Sequence, residues 1–229
     1  FDCLDSFDDH SITFNGKKIS VPLLMSASSI QDLSQAQFWD TIYFEEKTPG
    51  WDLHQASPAI TKYLPKLKLP RQRVIVLGAG FGHDAAAFAQ AGHIVTLVDF
   101  SAQAIAGAKE RYQYLKNICF IQADIFDLPK SLFGQFDLVF EQTCFCAVDP
   151  NLRQDLVRVW SKLLVPKGHL FGVFFVTEAR KGPHFGSSEW EIRKRLGIGF
   201  DFLIWERFRD STNDRLGREL LLYAQKRSI

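Results

Sequence analysis

The sequence predicts an α/β sandwich on a seven-stranded, mostly parallel sheet that ends in a C-terminal antiparallel hairpin. Three observations carry this reading. From residue 73 onward, short apolar runs alternate with helical stretches, the pattern of right-handed β-α-β units. The first of those runs ends in a glycine-rich turn, as a parallel strand does when it feeds a helix at a ligand site. The last two runs, within residues 200–227, are joined by only a polar turn, so no helix crosses between them and they pair antiparallel at the sheet edge.

Each element has its own signal. SITFNGKKIS (11–20) reads as a hairpin turning at Asn15-Gly16, a strong turn pair. Residues 26–37 are small and polar, a short helix or a linker, and an aromatic, acidic stretch, FWDTIYFEEKTPGWD, fills 38–52. SPAITKYLPKL (57–67) reads as a helix with Ser57 as N-cap and Pro58 in its first position. RVIVLGAG (73–80) is continuously apolar up to its glycines, as a strand buried on both faces must be. HDAAAFAQAG (83–92) is an Ala-rich helix closed by Gly92, and HIVTLVDFS (93–101) is the second strand of the β-α-β series. SAQAIAGAKERYQYL (101–115) is an amphipathic helix capped by Ser101. ICFIQAD (118–124) and FDLVFEQT (136–143) are the third and fourth strands. PNLRQDLVRVWSKLL (150–164) is a helix stopped by Pro166 and Gly168, and GHLFGVFFV (168–176) is the fifth strand. FDFLIWERFRD (200–210) and RELLLYAQKR (218–227) form the terminal hairpin.

The bulk numbers bound the function. The 229 residues suffice for one large domain with a sizeable core. A net charge of +1 gives no electrostatic footprint for nucleic acid or an anionic membrane, so the expected partner is a small molecule. No run approaches the ~20 apolar residues that span a bilayer, and no signal peptide is visible. The four cysteines, Cys3, Cys119, Cys144 and Cys146, form no CxxC pair and no histidines sit at metal spacing, which points to a reducing cytoplasm and to no metal. Aromatics are abundant, with 21 Phe and 5 Trp. Most are expected in the core, and the rest suit a stacking pocket for a flat or cationic ligand.

The densest motif is Gly78-Ala79-Gly80-Phe81-Gly82, between a strand and a helix. Glycines there let the backbone turn tightly and approach a ligand. Asp99 ends the next strand about twenty residues on, where an ionised carboxylate accepts hydrogen bonds from both hydroxyls of a ribose. Three features favour S-adenosylmethionine (SAM) over NAD. The glycines run G-x-G-x-G and are followed by Asp84, a carboxylate that disfavours a pyrophosphate at the helix N-terminus. Asp124 follows the third strand, where it can accept from the adenine amino group while Ile125 packs on the ring; Phe100, beside Asp99, is assigned to the same adenosine site. The terminal hairpin is a hallmark of class I methyltransferases. An NAD-dependent oxidoreductase shares the glycine loop and Asp99 but explains neither the hairpin nor Asp124. A non-catalytic SAM-binding protein on the same fold is the alternative of another class.

Four segments carry a resemblance to a known family. They are FWDTIYFEEKTPGWD, VIVLGAGFGHDAAAFAQAGHIVTLVDFS, FDLVFEQTCFCAVDPNLR and KGPHFGSSEWEI. Together they resemble the thiopurine S-methyltransferase-like branch of class I SAM-dependent methyltransferases, which includes halide/thiol methyltransferases. The resemblance covers about residues 38–229. It implies a Rossmann-like methyltransferase domain with an aromatic lid over 38–56, residues 1–37 being an N-terminal extension of the same domain, and a monomer. It also implies that Trp39, Tyr43 and Trp51 form an aromatic wall over SAM, while Gly78, Gly80, Asp99, Asp124 and Ile125 hold the rest. Glu141 and Gln142 would lie near the methyl group, with Glu141 a catalytic candidate. Arg153 stands where the thiopurine branch has an arginine near substrate, and Phe145, His184 and Phe185 are acceptor-pocket candidates. The sequence departs from the pattern at Tyr43, often tryptophan, at the inserted Gly50, at Gln142, where the halide/thiol branch has tyrosine, and at His184 in place of a second proline.

The implied chemistry is an in-line displacement, which needs alignment and a dry site rather than a metal. A sulfonium beside aromatic faces gains roughly 0.5–2 kcal/mol per ring. With a thiol or thiopurine as acceptor, the attacking species is the thiolate, and Arg153 is the candidate cation that favours it; otherwise Arg153 is a solvated residue in the first turn of a helix. A halide, or a tellurium or selenium species, is the alternative acceptor. Cys144 and Cys146 are read as small apolar residues on an extended segment.

Overall fold

The computed structural model describes residues 11–14, 17–20, 36–45, 49–178 and 184–228. The chain divides into two compact units, residues 1–32 and 33–229. In the first, β1 (Ser11–Phe14) and β2 (Lys17–Ser20) pair antiparallel from Ser11↔Ser20 to Phe14↔Lys17, the hairpin expected there. The Asn15-Gly16 turn and residues 26–35 lie outside the described residues.

The second unit opens with helix α1 (Ala36–Glu45). The helix expected over 57–67 is present over 58–67 but locally widened: residues 59–63 form a π-type turn that runs directly into α2 (Leu64–Leu67). Pro65 is the cause, since it has no N–H to offer the carbonyl of Thr61 and its ring crowds that carbonyl. The alternation from residue 73 onward is as expected: β3 (Arg73–Leu77), α3 (His83–Gln90), β4 (Ile94–Asp99), α4 (Ala102–Tyr112), β5 (Ile118–Gln122) and β6 (Phe136–Gln142). Gly92, at φ +94, closes α3, and the Ser101 hydroxyl accepts the Ala104 N–H at 3.1 Å as the N-cap of α4.

Two corrections follow β6. The segment holding Cys144 and Cys146 is not extended but a helical turn, α5 (Cys144–Ala147). Thr143, at φ +62, turns the chain out of the strand, and Glu141 caps the turn by accepting the Phe145 N–H at 2.8 Å. Both thiols are buried all the same. Helix α6 (Arg153–Leu163) runs straight into β7 (Leu164–Phe175), which begins before Pro166 and Gly168 rather than after them. Proline is tolerated there because the ladder to β6 shifts register between Leu164 and His169. Helix α7 (Glu189–Leu196), β8 (Phe200–Arg207) and β9 (Glu219–Lys226) complete the unit.

The sheet order is β5-β4-β3-β6-β7-β9-β8, with β9 antiparallel to both neighbours. Alternation along β3 sends Ile75 and Leu77 to one face, with Trp160, Leu156 and Phe174, and Val74 and Val76 to the other, with Phe88, Phe140 and Phe171. The phenylalanine surplus therefore goes largely into two apolar layers. Chain order reverses between β3 and β6, and ligands of such sheets bind at the carboxyl ends of the strands flanking that switch. Gly78, Asp99 and Gln142 all lie there.

Candidate cofactor and acceptor site

The glycine loop sets the floor. Gly78 takes φ +59, and a Cβ on it would come within 2.9 Å of Cys144 Sγ, so both conformation and space restrict this position to glycine. The Gly80 N–H donates to Asp99 Oδ2 and the Ser101 N–H to Asp99 Oδ1, each at 2.9 Å. Burial pushes the Asp99 carboxyl up to about 6; these N–H donors work against that rise, and the charge of Asp40 adds to it.

The aromatic segment packs against this floor. A Cβ on Gly80 would meet the Tyr43 hydroxyl at 2.9 Å. The Tyr43 ring packs edge-on against Phe81 at 5.0 Å and Trp51 at 5.9 Å, and Trp51 against Trp39 at 5.6 Å. Trp51 Nε1 donates to the Tyr43 hydroxyl at 3.3 Å. Burial, then the nearby Asp99 charge, raises the Tyr43 phenol, which stays protonated. Polar contacts pin the same segment from outside: Arg215 Nη2 donates to the Trp51 carbonyl at 2.7 Å, His83 Nε2 lies 3.2 Å from Asp52 Oδ1, and Asp40 Oδ1 accepts from Ser101 Oγ at 2.5 Å. Asp84 is not aimed at a ligand; its Oδ1 accepts the Ser57 N–H at 2.6 Å.

Of the other adenosine candidates, Asp124 is exposed just past β5 and its Oδ1 accepts the Phe126 N–H at 2.8 Å, which rigidifies the turn. Ile125 is half-buried against the core, and Phe100 is half-buried beside Asp99.

On the acceptor side the candidates separate. Glu141 is sealed beneath α5 at 1% exposure, and burial pushes its carboxyl up to about 8. Gln142 is the next residue toward the strand end, and its Oε1 is buried with no hydrogen-bond partner among the described residues. Phe145 is a core residue, packed on Phe174 at 5.5 Å and Trp160 at 6.2 Å. Arg153 is neither solvated nor open to a cavity. At 1% exposure its Nε donates to the Phe145 carbonyl at 3.1 Å, its Nη2 to the Gly186 carbonyl at 2.8 Å and its Nη1 to Glu191 Oε2 at 2.9 Å. It thereby ties α5 to the 184–187 loop. The Phe185 N–H donates to the Cys146 carbonyl at 2.8 Å, and His184 packs edge-on to Phe175 at 4.7 Å. Gly186, at φ +69, would drive a Cβ to 2.1 Å from the Glu178 carbonyl oxygen. Gly182 and Pro183 lie outside the described residues.

Sequence reasoning did not single out Asp40, Phe81 or Arg215. Asp40 and Tyr43 are three apart on one helix, a spacing that puts both on one face and could have flagged Asp40. Phe81 lies inside the quoted glycine motif. Arg215 left no signal, because the 208–218 turn carries five charges, and only the fold selects the one that is buried, at 9% exposure, and paired to Glu219 at 3.5 Å.

The residues fit SAM. Exposed Gly78 offers backbone, an unpaired buried amide oxygen waits on Gln142, an acid ends β4, and aromatic rings stand over the glycine loop. With β9 inserted between β7 and β8, the fold is that of a class I SAM-dependent methyltransferase. Its likeness to the Burkholderia thailandensis 1,6-didemethyltoxoflavin-N1-methyltransferase, solved with bound S-adenosylhomocysteine, spans 98% of this chain and 99% of that one at a TM-score of 0.70 and 19% identity. The family model of thiopurine S-methyltransferase matches residues 34–220, and the chain belongs to that family. It is 32% identical over 189 residues to thiocyanate methyltransferase 1 of Arabidopsis thaliana, covering 80% of this chain and 82% of the relative. It is also 32% identical over 168 residues to the probable thiol methyltransferase 2 of that plant, covering 71% and 73%. The protein is a SAM-dependent methyltransferase. Among the described residues, no helix is long and apolar enough to cross a membrane.

Proposed function

We propose that this enzyme methylates the sulfur of a small thiol or thiopurine by direct in-line displacement. The observation that carries the reading is family membership, since the thiopurine S-methyltransferase model matches residues 34–220. At the end of the site beside α5 and the 184–187 loop, burial and then the Glu141 charge push the Cys146 thiol up to about 12 against the opposing pull of Arg153 and Arg215. The thiolate is the better nucleophile, so an acceptor already ionised in water suits this buried end best. The names of the two plant relatives point to soft sulfur acceptors as well. Bound SAM supplies an electrophilic methyl on a sulfonium.

The chain's own residues do the rest. Asp99 accepts from the ribose, with its carboxylate oriented in advance by the Gly80 and Ser101 N–H groups. Asp124, Ile125 and Phe100 flank the adenine. Trp39, Tyr43 and Trp51 shield the cofactor from water and present ring faces to its positive charge. Residues 38–56 act as the lid. Phe185 and His184 line the acceptor end, and Gln142 offers its buried oxygen near the transferred methyl. Arg153 acts by position and charge from within the wall, and Glu141 by holding α5 in place.

The test is formation of S-adenosylhomocysteine by the purified protein with SAM and a panel of thiocyanate, hydrosulfide, an aromatic thiol, a thiopurine and iodide. Turnover with the sulfur compounds above that with iodide is expected. Turnover with iodide alone would move the assignment to halides, and tight SAM binding without any turnover would favour a binding protein.

A further inference from the structure

The lid helix α1 has no fully buried residue, so apolar contact alone holds it weakly. Its polar contact with α4 is specific. Asp40 Oδ1 accepts from Ser101 Oγ at 2.5 Å and from the Gln103 N–H at 3.2 Å. Ser101 is fully buried, and its hydroxyl oxygen already accepts the Ala104 N–H at 3.1 Å, so its single proton is directed to Asp40. The Ser101 N–H holds Asp99 Oδ1, and Asp99 Oδ2 holds the Gly80 N–H. One chain of hydrogen bonds thus runs from lid to glycine loop: Asp40, Ser101, Asp99, Gly80.

We propose that Asp40 is the latch of the lid, a positioning residue that couples closure of the aromatic wall to occupancy of the adenosine site at Asp99. The inference rests on the SAM site assigned above. Asp40 precedes Tyr43 by one helical turn and adjoins Trp39, so docking Asp40 on the N-terminus of α4 fixes where both rings stand. A carboxylate is also suited to that end of α4, where its charge meets the positive end of the helix dipole. Adenosine hydroxyls that hold Asp99 in place also hold Ser101 in place, and Ser101 in turn presents its proton to the lid. Opening the lid undoes the hydrogen bonds at Asp40 and leaves Asp99 with a less ordered neighbour.

The experiment is calorimetric SAM titration of the wild type and of Asp40→Ala, Asp40→Asn and Asp40→Lys, paired with limited proteolysis within 36–56 at saturating SAM. The Ala variant is expected to bind roughly tenfold more weakly and to remain cleavable at saturation. Asparagine, which keeps the Oδ1 acceptor, restores binding to within about threefold, and lysine, repelled by the helix end, binds worst. The melting temperature of the unliganded protein should move little across the series, whereas a merely structural residue would lower it in step with affinity. Wild-type affinity and full protection in Asp40→Ala would overturn the latch. Should the Ala variant fail to fold, equal affinity of the Asn and Lys variants would do the same. A wild type that does not bind SAM would instead overturn the site assignment itself.

Discussion

Two buried carboxylates, Asp99 and Glu141, stand at the carboxyl ends of β4 and β6 on either side of the switch point, and they are put to different uses. Both accept backbone N–H groups and both are raised by burial, Asp99 to about 6 and Glu141 to about 8. Asp99 takes its donors from two separate elements, the glycine loop and the start of α4, and so borders the loop where Gly78 is open. Glu141 takes the Phe145 N–H from the turn that covers it and packs so closely on Gly172 that a Cβ there would lie 2.7 Å from its own. One acid borders the exposed glycine turn and the other is sealed beneath α5. An acid at a strand end is therefore a better ligand candidate when its donors are loop N–H groups at the edge of the glycine turn than when they come from a turn that seals it in.

The comparison breaks most sharply at Arg153, on the Glu141 side. Replacing a buried, fully engaged guanidinium leaves the Phe145 and Gly186 carbonyls and Glu191 without their donor. Arg153→Met is expected to cost about 3 kcal/mol in denaturant unfolding, the low end for a broken buried pair because Glu191 keeps Arg195 at 2.9 Å. A loss of kcat at unchanged stability would instead put Arg153 in contact with the acceptor. On the other side, Asp99→Ala is expected to weaken SAM binding about 100-fold by calorimetry, since charge-assisted hydrogen bonds to the ribose are lost. Affinity within a few-fold of wild type would remove Asp99 from the site.

The fold was legible because its signals are local. RVIVLGAG and the two terminal runs declare a buried strand, a ligand turn and a hairpin without reference to the rest of the chain. The glycine turn and its acid were legible for the same reason: Gly78, Gly80 and Asp99 lie within one β-α-β unit. What escaped depends on packing across the sequence. Phe145 and Arg153 read as pocket residues because their neighbours, Trp160, Phe174 and the 186 carbonyl, are distant in the chain. Pro65 was visible, yet the helix pattern around it gave no sign of the π turn that precedes it. Arg215 became meaningful only when the hairpin turn came to rest on Trp51, 164 residues away.

A smaller effect sharpens the contrast through pH. A carboxyl whose native pKa is raised binds its proton more tightly folded than unfolded. Its stabilising contribution is fully present below the ordinary value of 4.5 and is lost as pH rises through about 8 for Glu141. In that window Glu141 makes stability fall with pH by up to about 1.4 kcal/mol per unit. Glu141→Gln, which mimics the protonated form, should flatten the unfolding profile between those limits while SAM affinity stays near wild type. An unchanged profile would mean that Glu141 is ionised in the native protein, paired to the charge of Arg153.

The smallest expected effect lies in the lid. Trp51→Phe keeps an aromatic ring between Trp39 and Tyr43 but removes the Nε1–H that the Tyr43 hydroxyl accepts at 3.3 Å. That bond is long, and a neutral pair of this kind is worth about 0.5–1 kcal/mol, so SAM affinity should fall roughly threefold. Tyr43→Phe removes the same bond from the other side and, in addition, the hydroxyl that sits over Gly80, so it should cost at least as much. If both variants bind SAM as the wild type does, the wall acts through its ring faces alone, and the hydrogen bond only sets the angle between two rings that would pack there without it.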